Sequence, residues 1–256
     1  MKNKSLAETW DELAVKHLKP GKPYYWSRYV RRAFSLATEI GLSYVQSEKV
    51  NLLKTDLWNE GVIEPPIGSV GKYQNRGNFR LYGIDVSRVV CFQAKLKVKK
   101  VHIIEGTIEN LPFKESFFHI ILDLSTSDHI PEYTAINVLQ EYKRVLRKRG
   151  ILVLIFQHPN LRNKCHMKYT KARPPWAHYG FSDRFMESLE KNFSVFEQYY
   201  IGTFFPGLLL NKMPTTFRGF VFNSILLLEY SKLSKFVLKN LGSFQVIIAT
   251  KKVVAS

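Results

Sequence analysis

The stretch "LYGIDVS", residues 81–87, is an apolar run that ends on an acid, Asp85, and passes straight into a helical pattern. Nucleotide-type α/β folds hold a ribose on a carboxylate at the carboxyl end of a buried parallel strand. Three further apolar runs follow, in "HIIEGTIENLPF" (102–113), "FHIILDLSTSDHI" (118–130) and "LQEYKRVLRKRGILVLIFQHP" (139–159). Helical or polar spacers separate them. Strands alternating with helices predict a parallel sheet covered on both faces, the architecture of an enzyme with a nucleoside-bearing ligand.

Working outward, "VNLLKTDLWNEG" (50–61) reads as a first strand and its turn. The prolines and glycines between Pro65 and Gly77 argue against a long unbroken helix after it. Strands are expected at 80–84, 101–104, 120–124 and 151–156, with a helix over 87–96. The apolar positions Ile136, Leu139, Tyr142 and Val145 predict a helix from Tyr133 to Arg149, capped by Gly150. On the amino-terminal side, Ser5 and Glu8 form a capping-box pattern opening a helix over 6–18. A second, aromatic- and arginine-rich helix spans 24–40. On the carboxyl-terminal side a helix over 183–192 with Ser182 as its cap leads to a strand over 193–201. Apolar residues from Phe222 to Leu241 recur at helical spacing, and "SFQVIIATKK" (243–252) is a last strand. The organisation expected is an N-terminal helical extension or lid over 1–47 and one α/β domain over 48–256.

The chain has 256 residues, 45% of them apolar, and a formal net charge of +17. That composition is globular rather than disordered, and the positive field favours anionic partners. Cys91 and Cys165 lie in no metal-binding or redox spacing, and no metal is expected. Cys91 reads as a buried structural thiol. The start of the chain lacks the apolar core of a secretory signal. No run reaches the about 20 apolar residues of a spanning helix, "GFVFNSILLLEY" (219–230) coming nearest. A soluble, cytoplasmic protein is the expectation, with peripheral membrane contact left open.

The acid ending the second strand, "ENLPF" after the third, "LRKRGILVLIF" leading into the fifth and the closing "LGSFQVIIATKK" occur in an order that resembles the class I S-adenosylmethionine-dependent methyltransferases, of the methyltransferase-11 type. The resemblance spans about residues 48–252. It implies a Rossmann-like, seven-stranded, mostly parallel sheet with the final strand inserted antiparallel, and S-adenosyl-L-methionine as cofactor. That family usually places an acid before three glycines after the first strand. Here "LLKTDLWNEG" retains only Gly61, so the resemblance assigns the cofactor's amino-acid end to Thr55, Asp56, Asn59 and Glu60. Asp85 maps onto the ribose-holding acid, with Val86 beside it. Thr107 stands where an adenine-holding Asp is common, and Ile108 would pack on the purine. Asp123, Ser125, Thr126, Asp128 and His129 cluster at the end of the fourth strand, Asp123 and Ser125 facing the cofactor. His129 and His158 are the candidates for taking a proton from an acceptor hydroxyl or amine.

The implied activity is methyl transfer to an O or N atom of a small-molecule, lipid-linked or saccharide acceptor. Its acceptor site would lie under the N-terminal aromatic helix, the 160–180 loop and the 208–241 region. An RNA substrate would use Arg28, Arg31, Arg32, Lys168, Lys171 and Arg173 for phosphate contacts. A non-catalytic, methyltransferase-like protein bound through its C-terminal helix to an anionic membrane or a protein partner is the other alternative. Oligomeric state is not legible.

Overall fold

The computed structural model describes residues 5–18, 25–62, 70–158, 181–202, 215–239 and 241–252. Among them seven strands form one sheet: β1 (Val50–Lys54), β2 (Phe79–Asp85), β3 (Val101–Glu105), β4 (Phe118–Leu124), β5 (Leu146–Gln157), β6 (Phe193–Ile201) and β7 (Phe244–Lys251). Their order is β3-β2-β1-β4-β5-β7-β6. β3, β2, β1, β4 and β5 are mutually parallel, and β7 runs antiparallel between β5 and β6. This is the expected Rossmann-like α/β sheet with an inserted antiparallel strand.

Alternate strand residues point to opposite faces, and each face has its own core. On one, Leu53, Ile84, Ile121, Leu152 and Leu154 pack with Val138, Leu139 and Tyr142 of α5 (Glu132–Val145) and with Phe185 and Leu189 of α6 (Asp183–Asn192). On the other, Leu52, Leu81, Ile120, Leu122 and Val153 pack with Tyr29, Ala33, Phe34 and Ala37 of α2 (Tyr25–Ser43) and Leu226 of α7 (Thr215–Glu229). The i, i+4 spacing of Tyr29, Ala33 and Ala37 gives α2 its buried stripe. A smaller cluster joins Ala14 of α1 (Leu6–His17), Leu57 and Val62 beside α3 (Trp58–Gly61), and Val90, Cys91 and Ala94 of α4 (Arg88–Lys97). Cys91 is buried, and burial pushes its thiol up to about 12. Cys165 lies outside the described residues.

Element ends follow local chemistry. Ser5 and Glu8 close their capping box, with Glu8 N donating to Ser5 Oγ at 3.2 Å and Ser5 N to Glu8 Oε2 at 2.8 Å. Ser87 and Ser182 cap α4 and α6 through Val90 N and Arg184 N. After β1, α3 is one four-residue turn, and a second single turn follows at Val70–Tyr73, so no long helix occupies the described part of this crossover.

Two expectations are corrected. The helix read as reaching Arg149 ends at Val145, and Leu146 already pairs with Phe118 in the sheet. "RKRG" is a bulge within β5, not a helix end. Arg149 takes the left-handed conformation there, at φ 61°. Gly150 is needed for closeness, because a Cβ would lie 2.9 Å from Arg147 O. The other correction concerns the C-terminal periodicity. α7 stops at Glu229, and only the four-residue α8 (Ser234–Val237) follows, since Ser231 Oγ donates to Leu228 O and closes the helix end.

Gly83 in the middle of β2 decides how Leu57 packs. A Cβ at residue 83 would stand 2.4 Å from Leu57 Cδ2, and Leu57 is fully buried beneath it. Gly83→Ala is expected to cost about 1–3 kcal/mol by overpacking, read as a fall in the urea midpoint. Leu57→Ala should cost less in the Ala-substituted background than alone; additive costs would contradict this packing.

Candidate active site

Four strand ends open on one side of the sheet into a cleft of about 300 Å³. That lies at the lower end of the range for small-ligand pockets. The turn after β1 supplies Thr55, Asp56, Trp58 and Asn59, and the end of β2 supplies Asp85 and Val86. Gly106, Thr107 and Ile108 enter after β3, and Leu124 to Thr126 with His129 and Ile130 after β4. Helices close the remaining sides, with Leu6 and Trp10 from α1 and Val30, Arg31 and Phe34 from α2.

Asp85 is held from two directions. Its Oδ2 accepts from Leu57 N and its Oδ1 from Ser87 N, each at 2.8 Å. A carboxylate oxygen has two lone pairs, so each oxygen keeps one for a ligand. Burial pushes the Asp85 carboxyl up to about 6, against the lowering effect of the Ser87 and Leu57 amides. Asp11 of α1 repeats the device one turn on, accepting from Ser87 Oγ at 2.5 Å and Val89 N at 3.1 Å. The same turn therefore fixes α1 over the cleft. Trp10 is thereby brought edge-on to both Trp58 (5.7 Å between ring centres) and His129 (5.1 Å).

A cation at the end of β1 organises the glycine-poor turn. Lys54 is fully buried, and its Nζ donates to Asp56 O (2.6 Å), Asp56 Oδ2 (2.9 Å) and Glu60 Oε2 (3.1 Å). Burial disfavours the charged ammonium, but the carboxylates of Asp56 and Glu60 outweigh it and hold Lys54 above its usual range. Glu60 is raised by burial against the pull of Lys54, and its Oε1 accepts from Val70 N at 2.8 Å. Glu60 is thus turned inward and does not line the cleft. Asp56 does line it, while its Oδ1 accepts from Trp58 N at 3.2 Å.

The Thr55 hydroxyl bonds to Leu122 O (3.3 Å) as donor and shares a hydrogen bond with the Thr126 hydroxyl (2.9 Å), bridging the end of β1 to the β4 loop. In that loop Ser125 is left-handed, at φ 66°, an uncommon state for a non-glycine residue that functional sites often hold. Its hydroxyl bonds to Asp128, which is buried and also accepts from Gln157 N at 2.8 Å. Asp123 is fully buried and faces away from the cleft. It accepts from Thr126 N (2.9 Å), from Ser127 N and Oγ, and from Tyr142 OH (2.9 Å). Across the cleft, the turn bearing Thr107 and Ile108 is bolted to α5: Leu111 N donates to Glu141 Oε2 at 3.0 Å, and Arg144 donates to Leu111 O and Phe113 O.

Of the residues chosen from sequence, the structure gathers Thr55, Asp56, Asn59, Asp85, Val86, Thr107, Ile108, Ser125 and His129 around one cleft. Glu60 and Asp123 serve the scaffold beneath it. His158 is placed elsewhere, its ring against Tyr200 (4.9 Å) and its backbone N–H donating to Ser243 O at 2.9 Å. Arg31, a candidate RNA contact by sequence, is 5% exposed and lines the cleft. The side chain of Arg28 and all of Lys168, Lys171 and Arg173 lie outside the described residues, as does the 160–180 loop. Nothing local in the sequence marks Trp10, Phe34 and Arg31 as reaching the site; only the clustering of aromatics and arginines in α2 sets that helix apart. Among the described residues no group of three or more His, Cys, Asp or Glu side chains is placed to hold a metal ion, and no helix is long and apolar enough to cross a membrane.

The strand order with an antiparallel β7, and a cleft at the carboxyl ends of β1 to β4, define the class I methyltransferase fold. Residues 68–154 match the family model described as a methyltransferase domain, and the chain carries an S-adenosylmethionine-dependent methyltransferase domain with the class I fold. Its cofactor is accordingly S-adenosyl-L-methionine. Among solved structures, the N-methyltransferase NodS from Bradyrhizobium japonicum WM9, in complex with S-adenosyl-L-homocysteine, is similar at a TM-score of 0.60 and 11% identity, covering 95% of this chain and 98% of that one. The PH0226 protein from Pyrococcus horikoshii OT3 gives 0.57 at 14% identity, covering 92% and 93%. The [4+2]-cyclase SpnF gives 0.56 at 15% identity, covering 86% and 81%. No curated protein matches the chain.

Two outcomes follow from the charges. Lys54→Met leaves Glu60 buried without its cation, and a loss of about 3–5 kcal/mol is expected in denaturant titrations. A protein as stable as the wild type would show the ion cluster to be dispensable. An Asp85 that accepts from ribose hydroxyls would do so in its ionised form, and its carboxyl in the free protein sits near 6. S-adenosylmethionine affinity is therefore level above that pH, then falls by about tenfold per pH unit below it, with proton release on binding. Calorimetry from pH 7.5 down to pH 5 checks the sign; a flat profile would remove Asp85 from the contact.

Proposed function

We propose that this methyltransferase acts on an O or N atom of a small acceptor with an apolar body, a lipid-linked or saccharide-bearing molecule included. The observation that carries this reading is the Asp85 carboxylate, fixed by two backbone amides and presented to a cleft whose other walls are chiefly apolar and aromatic.

The residues present fit the cofactor without the missing glycines. Asp85 offers its remaining lone pairs to the two ribose hydroxyls. Val86 and Ile108 provide the apolar surfaces for the purine, with the Thr107 hydroxyl and backbone at its polar edge. Asp56 presents a carboxylate to the cofactor's amino group, and Arg31 presents a guanidinium to its carboxylate. Arg is suited to that task by its planar, bidentate donor geometry. Bound S-adenosylmethionine supplies an electrophilic methyl group on a sulfonium.

The acceptor side falls to Trp10, Phe34, Leu124, Ile130 and His129. The aromatic and aliphatic walls orient the acceptor and exclude water, and for direct displacement positioning is the main catalytic requirement. His129 takes the proton released by an acceptor hydroxyl or amine, its ring held in place by the edge of Trp10.

Asp85→Asn keeps the residue's size and one acceptor oxygen, and is expected to lower S-adenosylmethionine affinity by about ten- to a hundredfold. Arg31→Ala should weaken the cofactor while leaving adenosine, which lacks the amino-acid end, bound as before. Equal affinity of both variants and the wild type in calorimetry would sink these assignments.

A further inference from the structure

The surface of α7 and the turn after it concentrates exposed apolar side chains. Of the thirteen large apolar side chains exposed among the described residues, seven fall between residues 217 and 241. On α7 they form one stripe. Phe217, Phe220, Leu227 and Leu228 are spaced at helical intervals and 52–74% exposed, while Leu226 and Glu229 on the opposite side are buried. Leu233 and Phe236 extend the stripe past the helix end, Phe236 being 86% exposed. Ser224 is the polar residue within the stripe, and its hydroxyl donates back to Phe220 O at 3.1 Å. Contiguous exposed apolar patches of this kind mark interaction sites.

Charge says what covers it. Glu229 is the one carboxylate between Glu197 and the end of the sequence, a stretch that carries Lys212, Arg218, Lys232, Lys235, Lys239, Lys251 and Lys252. That single acid is spent inside, where it accepts from Tyr29 OH, and Gly202 N donates to the same Tyr29 oxygen at 2.8 Å. No carboxylate on this segment therefore offsets its cations, and Lys232 and Lys239 stand exposed beside the apolar stripe. A second copy of the chain meeting this face about a twofold axis would bring two lysine-bearing faces together with no carboxylate of this segment between them. A stripe of Phe and Leu flanked by Lys suits an interface helix whose rings enter the acyl boundary while the ammonium groups stay among anionic headgroups.

We propose that the outward face of α7 and the α8 turn docks on an anionic lipid bilayer, as a surface anchor that does not span it. The inner face of α7 is bolted to α2, through Tyr29 to Glu229 and through Tyr230 OH to Ala33 O at 2.7 Å. α2 carries Val30, Arg31 and Phe34 into the cleft. Docking would therefore set a membrane against the helix that backs the cleft wall, a placement suited to acceptors with lipid tails.

Flotation of the full chain with phosphatidylcholine vesicles, with and without phosphatidylglycerol, tests this. The chain is expected to float with the anionic vesicles alone and to be released by salt. A Phe220→Ser, Leu227→Ser, Phe236→Ser variant should lower the bound fraction by about tenfold, and a Lys232→Glu, Lys239→Glu variant should also weaken it. Both variants should keep wild-type S-adenosylmethionine affinity, which separates loss of docking from loss of fold. No flotation, equal flotation on neutral vesicles, or a dimer in sedimentation that the serine variant dissociates would each overturn the proposal.

Discussion

The carboxylate of Asp85 ties together two turns that the pairing of β1 with β2 brings side by side. One oxygen accepts from Leu57 N, in the turn after β1, and the other from Ser87 N, at the start of α4. Charge-assisted bonds of this kind are stronger than neutral ones, and here they fix the orientation of the carboxylate as well as the loops. Burial opposes them and leaves the carboxyl readier to hold a proton than an exposed one. Hydroxyl donors from a ligand would relieve that cost. Asp11 then uses the next two donors of the same turn to bring α1, and with it Trp10, over the site.

The turn after β1 solves a problem that the family usually solves with glycine. Glycines let backbone amides crowd around a ligand because they lack a Cβ and adopt left-handed conformations freely. This chain has a buried Lys54 whose ammonium gathers the Asp56 carbonyl, the Asp56 carboxylate and Glu60. Glu60 in turn holds Val70 N and so ties the following segment down. Side-chain charge thus takes the place of backbone freedom. The cost of burying charge makes such a cluster all-or-nothing, since losing one partner strands the others. Gly83 belongs to the same solution, because its bare backbone admits Leu57 beneath the turn.

Strand ends were legible in the sequence, and with them the residues that the sheet alone brings together. Apolar runs of strand length place Asp85, Thr107 and Ser125 at neighbouring carboxyl ends whatever the helices do. What a carboxylate does once there was not legible. Glu60 and Asp123 have the same local setting as Asp56 and Asp85, and their direction is set by distant groups, Val70 N for one and Tyr142 OH for the other. Arg31 illustrates the converse. Within its helix it is one of several arginines, and only the docking of Tyr29, Ala33 and Ala37 on the sheet turns it into the cleft. The "RKRG" bulge escaped for a related reason, since a basic run before glycine fits a helix end as well as a strand irregularity until Leu146 is seen paired with Phe118.

The charge balance of the cleft narrows what it can hold. Its charged or titratable walls are Asp56, Asp85, Arg31 and His129, amid apolar residues. In a chain of net charge +17, a site built for a polyanion would gather cations. This one places carboxylates at the ends of β1 and β2 and one guanidinium on the facing helix, which is the complement of a zwitterionic amino acid joined to a hydroxylated ring. Part of that positive charge lies in the carboxyl-terminal segment, where seven cations accompany a single acid that is turned inward to Tyr29. The two surfaces are chemically separate, one balanced for a compact cofactor and the other cationic and apolar, and α2 is the element they share.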